Sequence, residues 1–170
     1  VYYSIATNGS TIFAGTNGYG IFVSNNNGDS WTQVNNGLSG SGLNVNSLAI
    51  SGNNIIAGTN NGVYLSANNG SSWKAMNVGL SGSGLTVSSI ALSGSSMYAA
   101  TLGGVFLSTN NGGSWTVMNS GLAGYNLLQY SIAVSESYVF TGTQYKGVWR
   151  HLMYDKYLNI STNTLGINED

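Results

Sequence analysis

The chain has 170 residues, and only 5% of them are charged, for a net charge of −1. Four basic residues (Lys74, Lys146, Arg150 and Lys156) cannot build the phosphate-neutralising surface that nucleic acid requires, nor a patch for an anionic membrane. Proline and cysteine are absent, so there is no disulfide framework and no cysteine-based metal site. No apolar run approaches the roughly 20 residues of a membrane span, and an exported form would already have lost its leader.

At 42% hydrophobic and 11% aromatic residues, the composition supports a packed core under a surface of Asn, Ser, Thr and Gly. The chain repeats itself at a period of 42 to 43 residues, in units 1–43, 44–85, 86–127 and 128–158, with a tail over 159–170. Each unit opens with a short apolar stretch: "YSIATNG", "NSLAISG", "SSIALSG" and "YSIAVSE". A second follows in "TIFAGTNGYG", "NIIAGTNNG", "SMYAATLGG" and "YVFTGTQYKG", and a third in "GIFVS", "GVYLS", "GVFLS" and "GVWRH". In the first three units a fourth stretch closes the set: "WTQVN", "WKAMN" and "WTVMN".

These runs are short, rich in β-branched and aromatic residues, and bounded by Gly, Asn or Ser, which predicts strands joined by turns. No segment holds a 3.6-residue apolar period long enough for a helix. Four antiparallel strands in about 42 residues is the size of one β-propeller blade. The expected fold is all-β, with four propeller-type blades, each a four-stranded antiparallel sheet, as part of a larger propeller or one completed by further copies; the alternative is a β-solenoid, whose coils are usually shorter and parallel.

Between the third and fourth stretches stands an octapeptide: "SNNNGDSW", "SANNGSSW" and "STNNGGSW". It must reverse the chain. Asn and Ser side chains bond to nearby backbone amides, and Gly28, Gly70 and Gly112 occupy the place where a positive φ is expected. Trp31, Trp73 and Trp115 then supply a ring that can bury roughly 150–250 Å² between neighbouring units.

The octapeptide resembles the Asp-box, or BNR, repeat of a β-propeller family, Ser/Thr-x-Asp-x-Gly-x-x-Trp. Ser24, Asn26, Gly28 and Trp31 match it, then Ser66, Asn68, Gly70 and Trp73, then Ser108, Asn110, Gly112 and Trp115. Asn stands in place of Asp throughout. The resemblance implies a structural motif on the hairpin between the third and fourth strands of a blade, away from the axis. A calcium loop would use several carboxylates, whereas Asp29 is the lone acid in the three octapeptides. No metal and no cofactor is expected.

Family members include sialidases, which use three arginines, a Tyr/Glu pair and an Asp. This chain has a single arginine, so the resemblance is to a non-sialidase member. The five acids (Asp29, Glu136, Asp155, Glu169 and Asp170) fall at non-equivalent places, and no pair is assigned to glycoside hydrolysis. His151 has no nucleophile or acid partner in the sequence. The chain is expected not to be an enzyme.

Unit four loses the octapeptide after "KGVWRH", as terminal repeats often do. The final "TLGINED" resembles the linker before the sorting domain of type IX secreted proteins, which implies a secreted or cell-surface protein. Four units in one phase are few for a closed ring, so apolar flanks are expected at both ends. The leading expectation is a non-catalytic scaffold or adhesion protein that associates with itself, as a homo-oligomer or polymer. The alternative is a carbohydrate-binding module, with Tyr19, Tyr125 and Tyr145 as glycan contacts.

Overall fold

The structure is a computed structural model that describes residues 2–122 and 124–153. The expected tail, 159–170, lies outside the described residues. Fifteen strands form four separate antiparallel sheets, each in plain sequence order. Unit one contributes β1 (Tyr2–Asn8), β2 (Thr11–Thr16), β3 (Ile21–Ser24) and β4 (Thr32–Gln33). Unit two contributes β5 (Val45–Ser51), β6 (Asn54–Thr59), β7 (Gly62–Ser66) and β8 (Lys74–Ala75). Unit three follows with β9 (Val87–Ser93), β10 (Ser96–Thr101), β11 (Gly104–Ser108) and β12 (Thr116–Val117). The last sheet has β13 (Gln129–Val134), β14 (Tyr138–Thr143) and β15 (Val148–Leu152). Every pairing is antiparallel, which excludes a solenoid of parallel coils.

The first strands β1, β5, β9 and β13 lie side by side and form the inner edge of the array. Each has a bulge at its start, at Tyr2/Ser4, Val45/Ser47, Ala100/Thr101 against β9, and Gln129/Ser131. A bulge re-aims the side chains beside it. Here it presents a serine to the next sheet: Ser4 Oγ accepts from the Leu48 amide at 2.8 Å, and Ser47 Oγ accepts from the Ile90 amide at 3.1 Å. Neighbouring sheets are thus joined by side chain to backbone rather than by a continuous ladder.

The core is not one mass but three, one at each junction between units. At the first, Phe13, Ile21, Val23 and Leu38 meet Val45, Leu48, Ile55, Ala57, Tyr64 and Trp73 of unit two. At the second, Ile56, Val63 and Leu80 meet Val87, Ile90, Met97, Ala99, Phe106 and Trp115. At the third, Tyr98, Val105 and Leu122 meet Val139 and Trp149. Strand β6 shows the logic: Ile55 and Ala57 point back to unit one while Ile56 points forward to unit three. Alternate residues of one strand therefore serve two cores, as the period of two requires.

The fourth stretch is shorter than expected. From "WTQVN" only Thr32 and Gln33 pair as strand, and the equivalents in units two and three are equally short. An asparagine side chain takes over where the ladder stops. Asn35 Oδ1 accepts from the Ile21 amide at 2.8 Å, and its Nδ2 donates to the Tyr19 carbonyl at 2.9 Å. Asn77 and Asn119 repeat both bonds, onto Val63 and Asn61 and onto Val105 and Gly103. The chain is then free to turn through the 3₁₀ segments Gly40–Leu43, Gly82–Leu85 and Gly124–Leu127 into the next inner strand.

At each of the first two junctions a glycine, Gly37 or Gly79, is set by close approach to the next unit's tryptophan. Gly79, at φ +94°, faces the backbone of Trp115 so closely that a Cβ would run into the Trp115 carbonyl oxygen. Gly94, at φ +57°, by contrast sits in an open turn with nothing nearby. Gly79→Ala is expected to lower the unfolding free energy by about 3 kcal/mol, and Gly94→Ala by about 1 kcal/mol from backbone strain alone. Denaturant unfolding of the two variants separates the junction clash from the conformational term.

Candidate functional site

Because the strands run in sequence order, the turns fall at two opposite ends. The β1–β2 type turns and the octapeptides share one end. The β2–β3, β6–β7, β10–β11 and β14–β15 loops share the other with the 3₁₀ segments that lead into each inner strand.

At the octapeptide end the three hairpins have the same geometry. Ser24 Oγ accepts from the Gly28 amide at 2.9 Å and donates to Asn26 Oδ1 at 2.9 Å. Asn26 Oδ1 also accepts from the Ser30 amide at 3.0 Å, while its Nδ2 donates to Ser30 Oγ at 2.9 Å. Ser66, Asn68, Gly70 and Ser72 repeat this set, and so do Ser108, Asn110, Gly112 and Ser114. Asn27, Asn69 and Asn111 sit at φ +57°, +53° and +56°, just ahead of the left-handed glycines. Two consecutive left-handed residues make the tight reversal, and Asn and Gly are the residues that tolerate it. The bonds of Ser24 and Asn26, and of their equivalents, thus tie the hairpin to itself.

The tryptophans differ among themselves. Trp73 Nε1 donates to the Val34 carbonyl and Trp115 Nε1 to the Met76 carbonyl, both at 2.8 Å and both in the preceding unit. Trp31 donates to Gly28 of its own hairpin at 3.1 Å. Trp73 and Trp115 are 5% and 4% exposed; Trp31 is 43% exposed. Ile5 shows the same contrast at 66%, against 8% for both Leu48 and Ile90, its equivalents in units two and three. The side of unit one that faces away from unit two thus carries an apolar surface that units two and three bury.

The opposite end holds an open cleft of about 580 Å³ at the inner edge of the array. Tyr3, Asn46, Ser88 and Tyr130 line it, and they hold the same position on β1, β5, β9 and β13. Asn17, Asn60, Thr86 and Leu102 complete the rim. The loops are fixed to the inner strands by backbone bonds: the Asn60 amide donates to the Asn44 carbonyl, the Leu102 amide to Thr86 and the Gln144 amide to Leu128, each at 3.1 Å. Buried Thr59 and Thr101 close the loops below by donating to the Gly62 and Gly104 carbonyls at 2.9 Å.

Tyr19 and Tyr145 project from the β2–β3 and β14–β15 loops and are exposed, yet neither lines the cleft. The side chain of Tyr125 lies outside the described residues. The sequence reading therefore did not single out Tyr130 or Asn46. Their signal is positional: they share one register of the inner strand across the units. Among the described residues no acid lines the cleft. Asp29 and Glu136 lie in turns at the octapeptide end, and Asp155, Glu169 and Asp170 lie outside the described residues. Among the described residues no three His, Cys, Asp or Glu side chains cluster.

No family model matches the chain, and no curated protein matches it. Solved structures do. An ancestral GH74 enzyme superposes with a TM-score of 0.68 at 23% identity, over 88% of this chain and 22% of its own. The extracellular domain of BT4673 from B. thetaiotaomicron gives 0.69 at 21% identity, over 87% of this chain and 21% of its own. The computationally designed Ika4 protein gives 0.66 at 13% identity, over 89% of this chain and 91% of its own. The fold is that of a β-propeller, four blades long. The chain spans about a fifth of the length of the GH74 enzyme and of BT4673. At these identities the likeness is one of fold.

His151, on β15, stacks on Trp149 with ring centroids 5.2 Å apart. Burial lowers its pKa below the ordinary 6.5. The unfolded chain therefore takes up the proton first as pH falls. This contribution to stability is present above about pH 6.5 and is lost as the pH falls towards the lower folded value. Wild type is expected to lose stability between about pH 8 and pH 5 more than His151→Gln does, as read from urea midpoints. In unit two, Ser66→Ala leaves the buried Gly70 amide without its acceptor. It is expected to cost about 2 kcal/mol in the same measurement.

Proposed function

We propose that this chain is a secreted, non-catalytic scaffold module that associates with further copies of itself. The observation that carries the reading is the exposed backward face of unit one, marked by Ile5 and Trp31. Three internal junctions define what covers such a face: the forward side of a preceding blade. Unit four offers that forward surface in the same register. Val148 is 61% exposed, whereas Ile21, Val63 and Val105, its equivalents, are at most 1% exposed. Phe140 stands where Phe13, Ile56 and Tyr98 stand. A second copy of the chain therefore fits the first as one blade fits the next.

One residue breaks the equivalence. Arg150 occupies the place of Val23, Leu65 and Leu107, and it lies 4.7 Å from the centroid of the Tyr138 ring. In the proposed contact it faces the aromatic cluster of the adjoining unit one, where Trp31 supplies a cation–π surface. The contact is heterologous, so it closes a ring or runs on as a fibre. The extracellular BT4673 neighbour supports placement outside the cell. The cleft without acids supports the non-catalytic reading. The closed hydrogen-bond set of each octapeptide supports the resemblance to the Asp-box.

Sedimentation equilibrium tests the association. The expected result is a multiple of 17.7 kDa, with Ile5→Asp and Trp31→Ala returning the protein to a single copy without lowering its melting temperature. Trp73→Ala, by contrast, is expected to cost about 3–5 kcal/mol of fold stability. A wild-type chain that stays single at high micromolar concentration overturns the proposal.

A further inference from the structure

The axial cleft has chemistry that the octapeptides and the blade faces do not explain. Its walls are two half-exposed phenol rings, Tyr3 and Tyr130, each 51% exposed, on the first and last inner strands. Its floor is amide and hydroxyl: Asn46 and Ser88, with Asn60 at the rim. The volume lies within the roughly 300–1,000 Å³ of small-molecule sites.

The amides are held in place. Asn46 Nδ2 donates to Asn60 Oδ1 and to the Val87 carbonyl, both at 2.8 Å. Both of its N–H groups are therefore used, and Asn46 Oδ1 is left facing as an acceptor. Asn60 Nδ2, whose own oxygen is engaged, is left as a donor beside it. A fixed acceptor next to a fixed donor, on a strand edge that cannot shift without breaking the junction to unit three, is a preorganised pair for a hydroxyl-rich ligand. Tyr130 is held too: its hydroxyl donates to Gln144 Oε1 at 3.2 Å.

Charge narrows the ligand further. Among the described residues no Lys, Arg or His lines the cleft, so a carboxylate, phosphate or sulfate would be desolvated there without a counter-charge. No Asp or Glu lines it either, which removes cations and general acids. A purely apolar ligand would leave the asparagines unpaired. What remains is a neutral molecule with a flat apolar face for a phenol ring and neighbouring hydroxyls for an acceptor–donor pair. We propose that the cleft between Tyr3 and Tyr130 is a binding site for neutral oligosaccharides, read by Asn46 and Asn60, and that it does not require assembly.

Calorimetric titration with cellotetraose, xylotetraose and mannotetraose, alongside tetragalacturonate and tetraglycine, tests the site. At least one neutral saccharide is expected to bind, and tetragalacturonate and tetraglycine are expected not to. Tyr3→Ala, Tyr130→Ala and Asn60→Ala are each expected to weaken binding about fivefold or more. All three side chains are at the surface, so an unchanged melting temperature shows that the fold is kept. The single-copy Trp31→Ala variant is expected to bind as the wild type does, which separates failure of this site from failure of the association. Absence of binding by all three neutral sugars overturns the proposal. So does binding that ignores the three substitutions, binding lost in Trp31→Ala, or equal binding of tetragalacturonate or tetraglycine.

Discussion

Everything in this chain depends on one tryptophan reaching across to the blade before it. Trp73 donates twice to unit one: through its ring to the Val34 carbonyl and through its backbone amide to the Asn36 carbonyl, each at 2.8 Å. Trp115 does the same to Met76 and Val78 of unit two. These bonds satisfy the carbonyls left where the fourth strand of the preceding blade stops after two residues. A buried carbonyl without a partner is costly, so the short strand and the reaching tryptophan require one another. A blade of this design is incomplete by itself, and the order of the array follows from that incompleteness.

The same constraint explains why the chain needs so few charges. Its polar groups are satisfied by asparagine, serine and threonine acting in place of backbone. Asn35 continues a ladder, Ser4 bridges two inner strands, and Thr59 closes a loop. These neutral bonds carry no screening penalty and no long-range repulsion. Arg150 is the exception, placed on an outer face where an aliphatic residue would have made the blades interchangeable. A cation there sets unit four apart from the other three.

The blades were legible in the sequence because their signals are local and periodic. "SNNNGDSW" and its two relatives mark the same hairpin three times, and the apolar alternation around them leaves little choice of partner. The asparagine ladder was not legible. Asn35, Asn77 and Asn119 each stand two residues before a glycine, and asparagine in such a place reads as a turn former. Their role as substitutes for strand backbone appears only when Ile21, Val63 and Val105 are seen opposite them. The cleft escaped for a different reason. Tyr130 belongs to a strand whose residues alternate between junction and axis, and an isolated tyrosine does not say which side it takes. Tyr19 and Tyr145, in glycine-rich loops, looked more accessible and are, but they stand apart from the inner edge.

The serine of each octapeptide has a chemical consequence beyond packing. Asn27–Gly28, Asn69–Gly70 and Asn111–Gly112 are the dipeptides in which asparagine most readily cyclises onto the following backbone nitrogen and loses its amide. In the folded chain that nitrogen is held by Ser24, Ser66 or Ser108 at 2.8–2.9 Å. The nucleophile is turned to the hydroxyl and away from the side chain that it would attack. A folded blade thereby slows its own ageing, while an opened one would collect a new carboxylate at each hairpin in a protein that otherwise carries almost none.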